Sequence, residues 1–156
     1  MAGTFSQIYI QVVCAVKGRE SLILSSWEDE LYKYITGIVR NKEQKLLAIN
    51  GMPDHIHFLI GMKPSCCLSD LVREIKKSSN DFIKEKKFSK FKFQWQEGYG
   101  AFSVSPSKQS VLIHYIKNQE EHHKKHTFKE EILHILEELG IPHSDEYGFV
   151  WLAATG

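Results

Sequence analysis

Cysteine is scarce in this chain: Cys14, Cys66 and Cys67 make an odd count, and two of them are adjacent. Neither a Cys-x-x-Cys zinc module nor a disulfide framework can be built from these three, which points to a reducing cytoplasm. Long apolar runs are also missing. No segment approaches the roughly 18 consecutive apolar residues that a membrane helix needs, and no basic stretch followed by an apolar run opens the chain. The expected setting is therefore cytoplasmic, with no membrane partner. There are only four prolines, and there is no internal repeat, low-complexity tract or linker. Lys and Arg are absent from residues 130–156, which carry six acids and would repel a polyanion.

What is present fits one globular domain of 156 residues, with 42% apolar and 25% charged side chains. Its extent is read as 1–156, with a core over about 5–130 and a C-terminal helix and acidic tail over 131–156. The net charge of +1 conceals a basic stretch: residues 73–92 hold eight Lys or Arg against three acids, a balance of +5. Such a run is usually a solvated helix face. Beside a phosphodiester site it would serve as a track for a nucleic-acid backbone, through Arg73, Lys76, Lys77 and Lys84.

Residues 4–16, rich in β-branched and aromatic side chains, predict a first strand. Ser26 is a plausible N-cap for a helix to about Arg40, with Trp27, Leu31, Tyr34, Ile35 and Ile38 on its buried stripe. Lys45–Asn50 and His55–Met62, joined by Gly51–Asp54, predict a hairpin. A helix follows from Ser69 to about Lys86, its apolar face made by Leu71, Val72, Ile75, Phe82 and Ile83. Phe91–Ser105 reads as strand, glycine-bearing bend, strand. Ser105-Pro106 starts a helix, and a last one over about Phe128–Leu139 stops at Gly140-Ile141-Pro142. The order β-α-β-β-α-β followed by helices predicts an α+β fold. This is the ferredoxin-like (RRM-like) antiparallel sheet, with helices on one face and the other left for a site.

The stretch most loaded with chemistry is Pro53-Asp54-His55-Ile56-His57-Phe58-Leu59. Alternation along a strand places His55 and His57 on one face, about 7 Å apart, where both can reach one metal ion or phosphate. With eight histidines, chance alone supplies roughly 0.4 such triplets per chain, so the triplet by itself does not separate a site from two incidental histidines. The penultimate helix adds Tyr115 and Gln119, one turn apart on a single face. A phenol with pKa about 10 is a poor nucleophile at neutral pH, but it becomes useful where a cation polarises the phosphate it attacks. Gln119 could complete a metal site begun by the two histidines, and imidazole with neutral oxygen donors suits Mn²⁺ or Mg²⁺. Helical spacing alone equally fits Tyr115 as a core aromatic. His122 and His123, further along, could replace or supplement Gln119.

Taken in order, these motifs resemble a family. They are Pro53-Asp54-His55-Ile56-His57-Phe58-Leu59, Leu68-Ser69-Asp70 with Lys77-Ser78-Ser79, Trp95-Gln96-Glu97-Gly98-Tyr99-Gly100, and Tyr115-Ile116-x-x-Gln119. The set is similar to the single-tyrosine HUH transposases of small bacterial insertion sequences (IS200-like), including their REP-associated relatives. Gly98-Tyr99-Gly100 and Lys76-Lys77 depart from common members of that family at positions away from the proposed site. The resemblance implies that His55, His57 and Gln119 bind a divalent metal, Mg²⁺ or Mn²⁺. It implies that Tyr115 attacks single-stranded DNA near a hairpin, giving a 5′-phosphotyrosine and a free 3′-OH, and that the enzyme works as a homodimer. Two other classes share the expected sheet. A noncatalytic RNA- or ssDNA-binding module would need neither Tyr115 beside Gln119 nor a metal. A phosphoesterase would want a third alternate histidine, where Leu59 stands, or a duplicated His-x-Thr or His-x-Ser, which is lacking. A host-adopted nuclease of the REP-associated kind, no longer mobile, would carry the same residues as a transposase.

Overall fold

A computed structural model describes residues 3–118 and 128–140. Gln119, His122, His123 and the tail beyond residue 140 lie outside the described residues. Four strands, β1 (Tyr9–Ala15), β2 (Lys45–Met52), β3 (His55–Gly61) and β4 (Gly100–Val104), form one antiparallel sheet in the order β2-β3-β1-β4. With α1 (Glu28–Asn41) after β1 and α2 (Leu68–Lys86) after β3, this is the split βαβ topology that the sequence predicts.

The two faces of the sheet do different work. Val12, Cys14, Val16, Ile56, Phe58 and Ile60 point to one side and meet Leu31, Ile35 and Val39 of α1 and Leu71, Val72, Ile75 and Ile83 of α2. In this core Cys14 is sealed off, and burial pushes its thiol up to about 12. The opposite face, which the sequence left open for a site, is covered in part by α3 (Gln109–Lys117) and α4 (Phe128–Glu138). Leu112 and Ile116 of α3 pack on Ala48, Leu59 and Val104, while Ile132 and Leu136 of α4 pack on Val13. Six of the seven residues of β3 are therefore buried, because layers cover both of its faces.

Several boundaries differ from the sequence reading for local reasons. The first strand begins at Tyr9 rather than Thr4, where pairing with β3 and β4 starts. Helix α1 begins after Trp27, which takes the cap position without a side-chain hydrogen bond, so Ser26 is not the cap. Trp27 instead stacks on Phe88, with ring centroids 5.3 Å apart. Tyr34 lies off the buried stripe and stacks on Phe82 at 4.0 Å, and Tyr32 is the buried tyrosine. Of the strand-bend-strand expected over 91–105, only Gly100–Val104 is a strand. Before it, Trp95 makes one bridge to Val16, Phe93 is in the core and Phe91 is 70% exposed.

The hairpin that delivers the two histidines depends on Gly51, which lies in β2 opposite Ile56 and not in the turn, so the turn is shorter than the expected Gly51–Asp54. A Cβ at this position would meet the His55 carbonyl oxygen and, at 2.9 Å, the Ile56 Cα, both of them backbone atoms that cannot rotate away. Gly51→Ala should cost about 1–3 kcal/mol, the range for forcing a methyl into a packed region. A urea titration would read this as a lower midpoint, and an unchanged midpoint would refute the close approach.

Candidate metal centre and nucleophile

His55 and His57 open the central strand β3 on the face that α3 and α4 cover, both fully buried, with ring centroids 5.0 Å apart. Their neighbours on that face across β1 are Ala15 and Val13, and the next β1 residue on the face is Gln11. Strand alternation thus brings the pair together as the sequence predicts.

Each imidazole is held on its far side by a polar partner. His55 Nδ1 lies 2.6 Å from Asp54 Oδ1. Asp54 Oδ2 in turn accepts from Arg19 Nε at 3.1 Å and Nη2 at 2.8 Å. Burial works against ionising Asp54, but the His55 ring and the Arg19 guanidinium outweigh it and hold the carboxyl at about 2. His57 Nδ1 lies 3.2 Å from the amide nitrogen of the fully buried Gln11. Both Nε2 atoms consequently face the same space.

That space is filled by Glu131 of α4, a residue the sequence reading missed. Glu131 is 1% exposed, with Oε1 at 3.0 Å from His57 Nε2 and Oε2 at 3.4 Å from His55 Nε2. Burial disfavours a charged His55, yet the hydrogen bonds and charges of Asp54 and Glu131 raise its pKa. The signal was present in the sequence: Glu131 falls on the same helical stripe as the buried Ile132, Ile135 and Leu136. A carboxylate on an apolar stripe demands a buried partner.

The donor set suits a cation. His55, His57 and Glu131 each offer one ligand atom, all within 4.8 Å of one another. Two imidazoles and a carboxylate, each imidazole fixed by a second polar group, are the usual apparatus of a divalent site. This buried His55/His57/Glu131 group could bind a metal, and among the described residues it is the one group of three with that capacity.

Tyr115 sits on α3, half-buried, beside a small apolar cavity of about 170 Å³ between α3 and α4, lined by Val111, Leu112, His134 and Ile135. Its ring centroid is 6.0 Å from that of His134. Burial raises the Tyr115 pKa, and the charge of Glu131 raises it further. The charge of Glu131 thus acts on the tyrosine as well as on His55. Helix α3 is tied to its own sheet by Asn50 Nδ2, which donates to the Lys117 carbonyl oxygen at 3.1 Å, and Asn50 is the β2 partner of His57.

The four basic residues expected to bind DNA fall into different roles. Arg73 and Lys77 are exposed and line an open cleft of about 670 Å³ together with Lys17, Asn80 and Trp95. Lys76 also borders this cleft, but its ammonium donates to the Gln96 carbonyl at 2.8 Å and to that of Gly98, clamping the segment before β4. Lys84 is exposed in the last turn of α2, away from the cleft lining. No helix among the described residues is long and apolar enough to cross a membrane.

Comparison with known proteins supplies the family. The chain is 23% identical over 124 residues to the ISDra2 transposase TnpA of Deinococcus radiodurans, covering 75% of this chain and 87% of that protein. Its fold matches that of a Deinococcus radiodurans R1 protein assigned as a transposase, with TM-score 0.58 and 23% identity over 76% of this chain and 95% of the other. It also matches a REP-associated tyrosine transposase bound to a REP hairpin, with TM-score 0.59 and 18% identity over 79% and 74% of the two chains. Residues 4–119 match the model of the IS200-like transposases, and this chain belongs to that family.

Proposed function

We propose that this protein is a metal-dependent transposase that cleaves and rejoins single-stranded DNA beside a hairpin through a 5′-phosphotyrosine. One observation carries the reading. A buried pair of imidazoles closes on one carboxylate, on the sheet face that the tyrosine-bearing helix covers, within a family of transposases. His55, His57 and Glu131 would hold a divalent cation, Mg²⁺ or Mn²⁺, and Gln119 would be a further donor as the family resemblance implies. When bound, the cation supplies Lewis-acid polarisation of the scissile phosphate.

The remaining work falls to the chain. Asp54, fixed by Arg19, holds His55 in orientation. Tyr115 gives up its proton and its Oη attacks phosphorus, so a Tyr–O–P bond forms as the P–O3′ bond breaks. The departing 3′-oxygen takes a proton and leaves as a 3′-OH. Rejoining is the reverse displacement, in which a 3′-OH attacks the phosphotyrosine and restores the phenol. No external energy source is needed, because one phosphoester replaces another. The working unit is a homodimer, since two DNA ends must be cut and exchanged. The test is incubation with a labelled library of hairpin-bearing single strands and Mn²⁺, followed by denaturing electrophoresis. A covalent protein–DNA adduct supports the reading; metal-independent binding with no adduct would make the chain a noncatalytic binding module.

Arg73 and Lys77, with Lys84 further along α2, follow the DNA backbone in this reading. Neutralising these three should lower the salt slope of single-strand binding by about 0.7 for each phosphate that a side chain ceases to neutralise. An unchanged slope would return them to a solvated helix face.

A further inference from the structure

Gln11 is the one polar residue on an otherwise apolar, fully covered stretch of β1, and it is 0% exposed. Its side chain runs diagonally across the strand pair to His57, not to its direct partner Leu59. The amide nitrogen lies 3.2 Å from His57 Nδ1, while Oε1 is buried with no hydrogen-bond partner among the described residues. A buried carbonyl oxygen left unmatched is unfavourable. Here a half-turn of the amide would place that oxygen against Nδ1 instead of the nitrogen.

We propose that Gln11 is a positioning residue whose amide serves two states of His57. With Glu131 Oε1 3.0 Å from His57 Nε2, a proton on Nε2 faces the carboxylate and Nδ1 accepts from the Gln11 nitrogen. When Nε2 gives its lone pair to a cation, the ring proton must sit on Nδ1, and Gln11 turns its oxygen to accept it. An amide can do both; a hydrocarbon can do neither, and a carboxylate only the second. Asp54 gives His55 the fixed version of the same support, and Gln11 gives His57 an adjustable one. The inference rests on the proposed metal site.

Calorimetric titration with Mn²⁺ of the wild type, Gln11→Met and Gln11→Glu separates this role from packing. Methionine is close in shape and apolar, so a packing role would tolerate it and would reject a buried glutamate. A positioning role gives the opposite order: Gln11→Met should bind Mn²⁺ about 10–100-fold more weakly, and Gln11→Glu should bind at least as well as the wild type. Equal affinity of the methionine variant overturns the proposal. If Gln11→Met fails to fold by circular dichroism, the glutamate variant alone decides: affinity preserved supports the role, and a tenfold loss overturns it. A wild type that binds no Mn²⁺ brings down the metal site, and this inference with it; a wild type that binds beside an indifferent Gln11→Met brings down the inference only.

Discussion

Replacing Tyr115 by phenylalanine is expected to abolish the covalent DNA adduct while leaving hairpin binding nearly intact. The change deletes one oxygen from a half-buried ring and keeps the packing of α3 against Ala48, Leu59 and Val104. Burial and Glu131 both raise the Tyr115 pKa, so without a cation the phenol stays protonated at neutral pH. The loss should therefore reach the detection limit, as for removal of any nucleophile that splits one displacement into two. Electrophoresis of the labelled adduct and a filter-binding assay measure the two effects separately. An adduct that survives would pass the role to another residue, Tyr99 first. The same variant asks which subunit's tyrosine is used. The Asn50–Lys117 contact docks α3 on its own sheet, and a mixing experiment asks whether the tyrosine serves the site of its own chain or that of its partner. If it serves its own chain, a mixture of inactive Tyr115→Phe with inactive His55→Ala, after verified subunit exchange, should stay dead. Recovery of roughly a quarter of wild-type sites would instead place the tyrosine in the partner's site.

How much of this the sequence discloses depends on the range over which each feature is determined. The hairpin of β2 and β3 is legible because strand propensity, alternation and a Pro-Asp turn agree over a dozen neighbouring residues. The facing of His55 and His57 follows from the period of a strand and needs no tertiary information. By contrast, Glu131 reaches the pair only because Ile132 and Leu136 seat α4 against Val13, a contact between the two ends of the described chain. Read as part of an acidic segment, it looks like a group that repels polyanions; only its place on the apolar stripe marks it as buried. Lys76 is the reverse case, since its charge suggests DNA while two carbonyls of a loop some twenty residues on claim its ammonium. The segment before β4 has strand-like composition, but aromatic packing on Trp27 and that lysine clamp decide its path. Composition cannot weigh tertiary contacts of this kind.

The metal site yields the second large effect. Alanine at His55 or His57 should weaken Mn²⁺ binding by an order of magnitude or more and stop cleavage, since either change removes a donor and opens a buried polar void. Glu131→Gln is the more informative companion. It keeps the shape and one carbonyl oxygen but removes the negative charge that lies 3.0 and 3.4 Å from the two Nε2 atoms. If Glu131 is a ligand, the amide variant should bind Mn²⁺ more weakly than the wild type but more tightly than either alanine variant, and cleave more slowly. The carboxylate is also buried over the pair and covers both imidazoles, so in the proposed reaction it could equally obstruct a scissile phosphate. If that obstruction were its whole role, Glu131→Gln would leave Mn²⁺ affinity unchanged and raise the cleavage rate. Calorimetry and single-turnover cleavage on the same three variants distinguish the outcomes. Unchanged Mn²⁺ affinity in the His55→Ala, His57→Ala double variant would remove the metal from the site altogether.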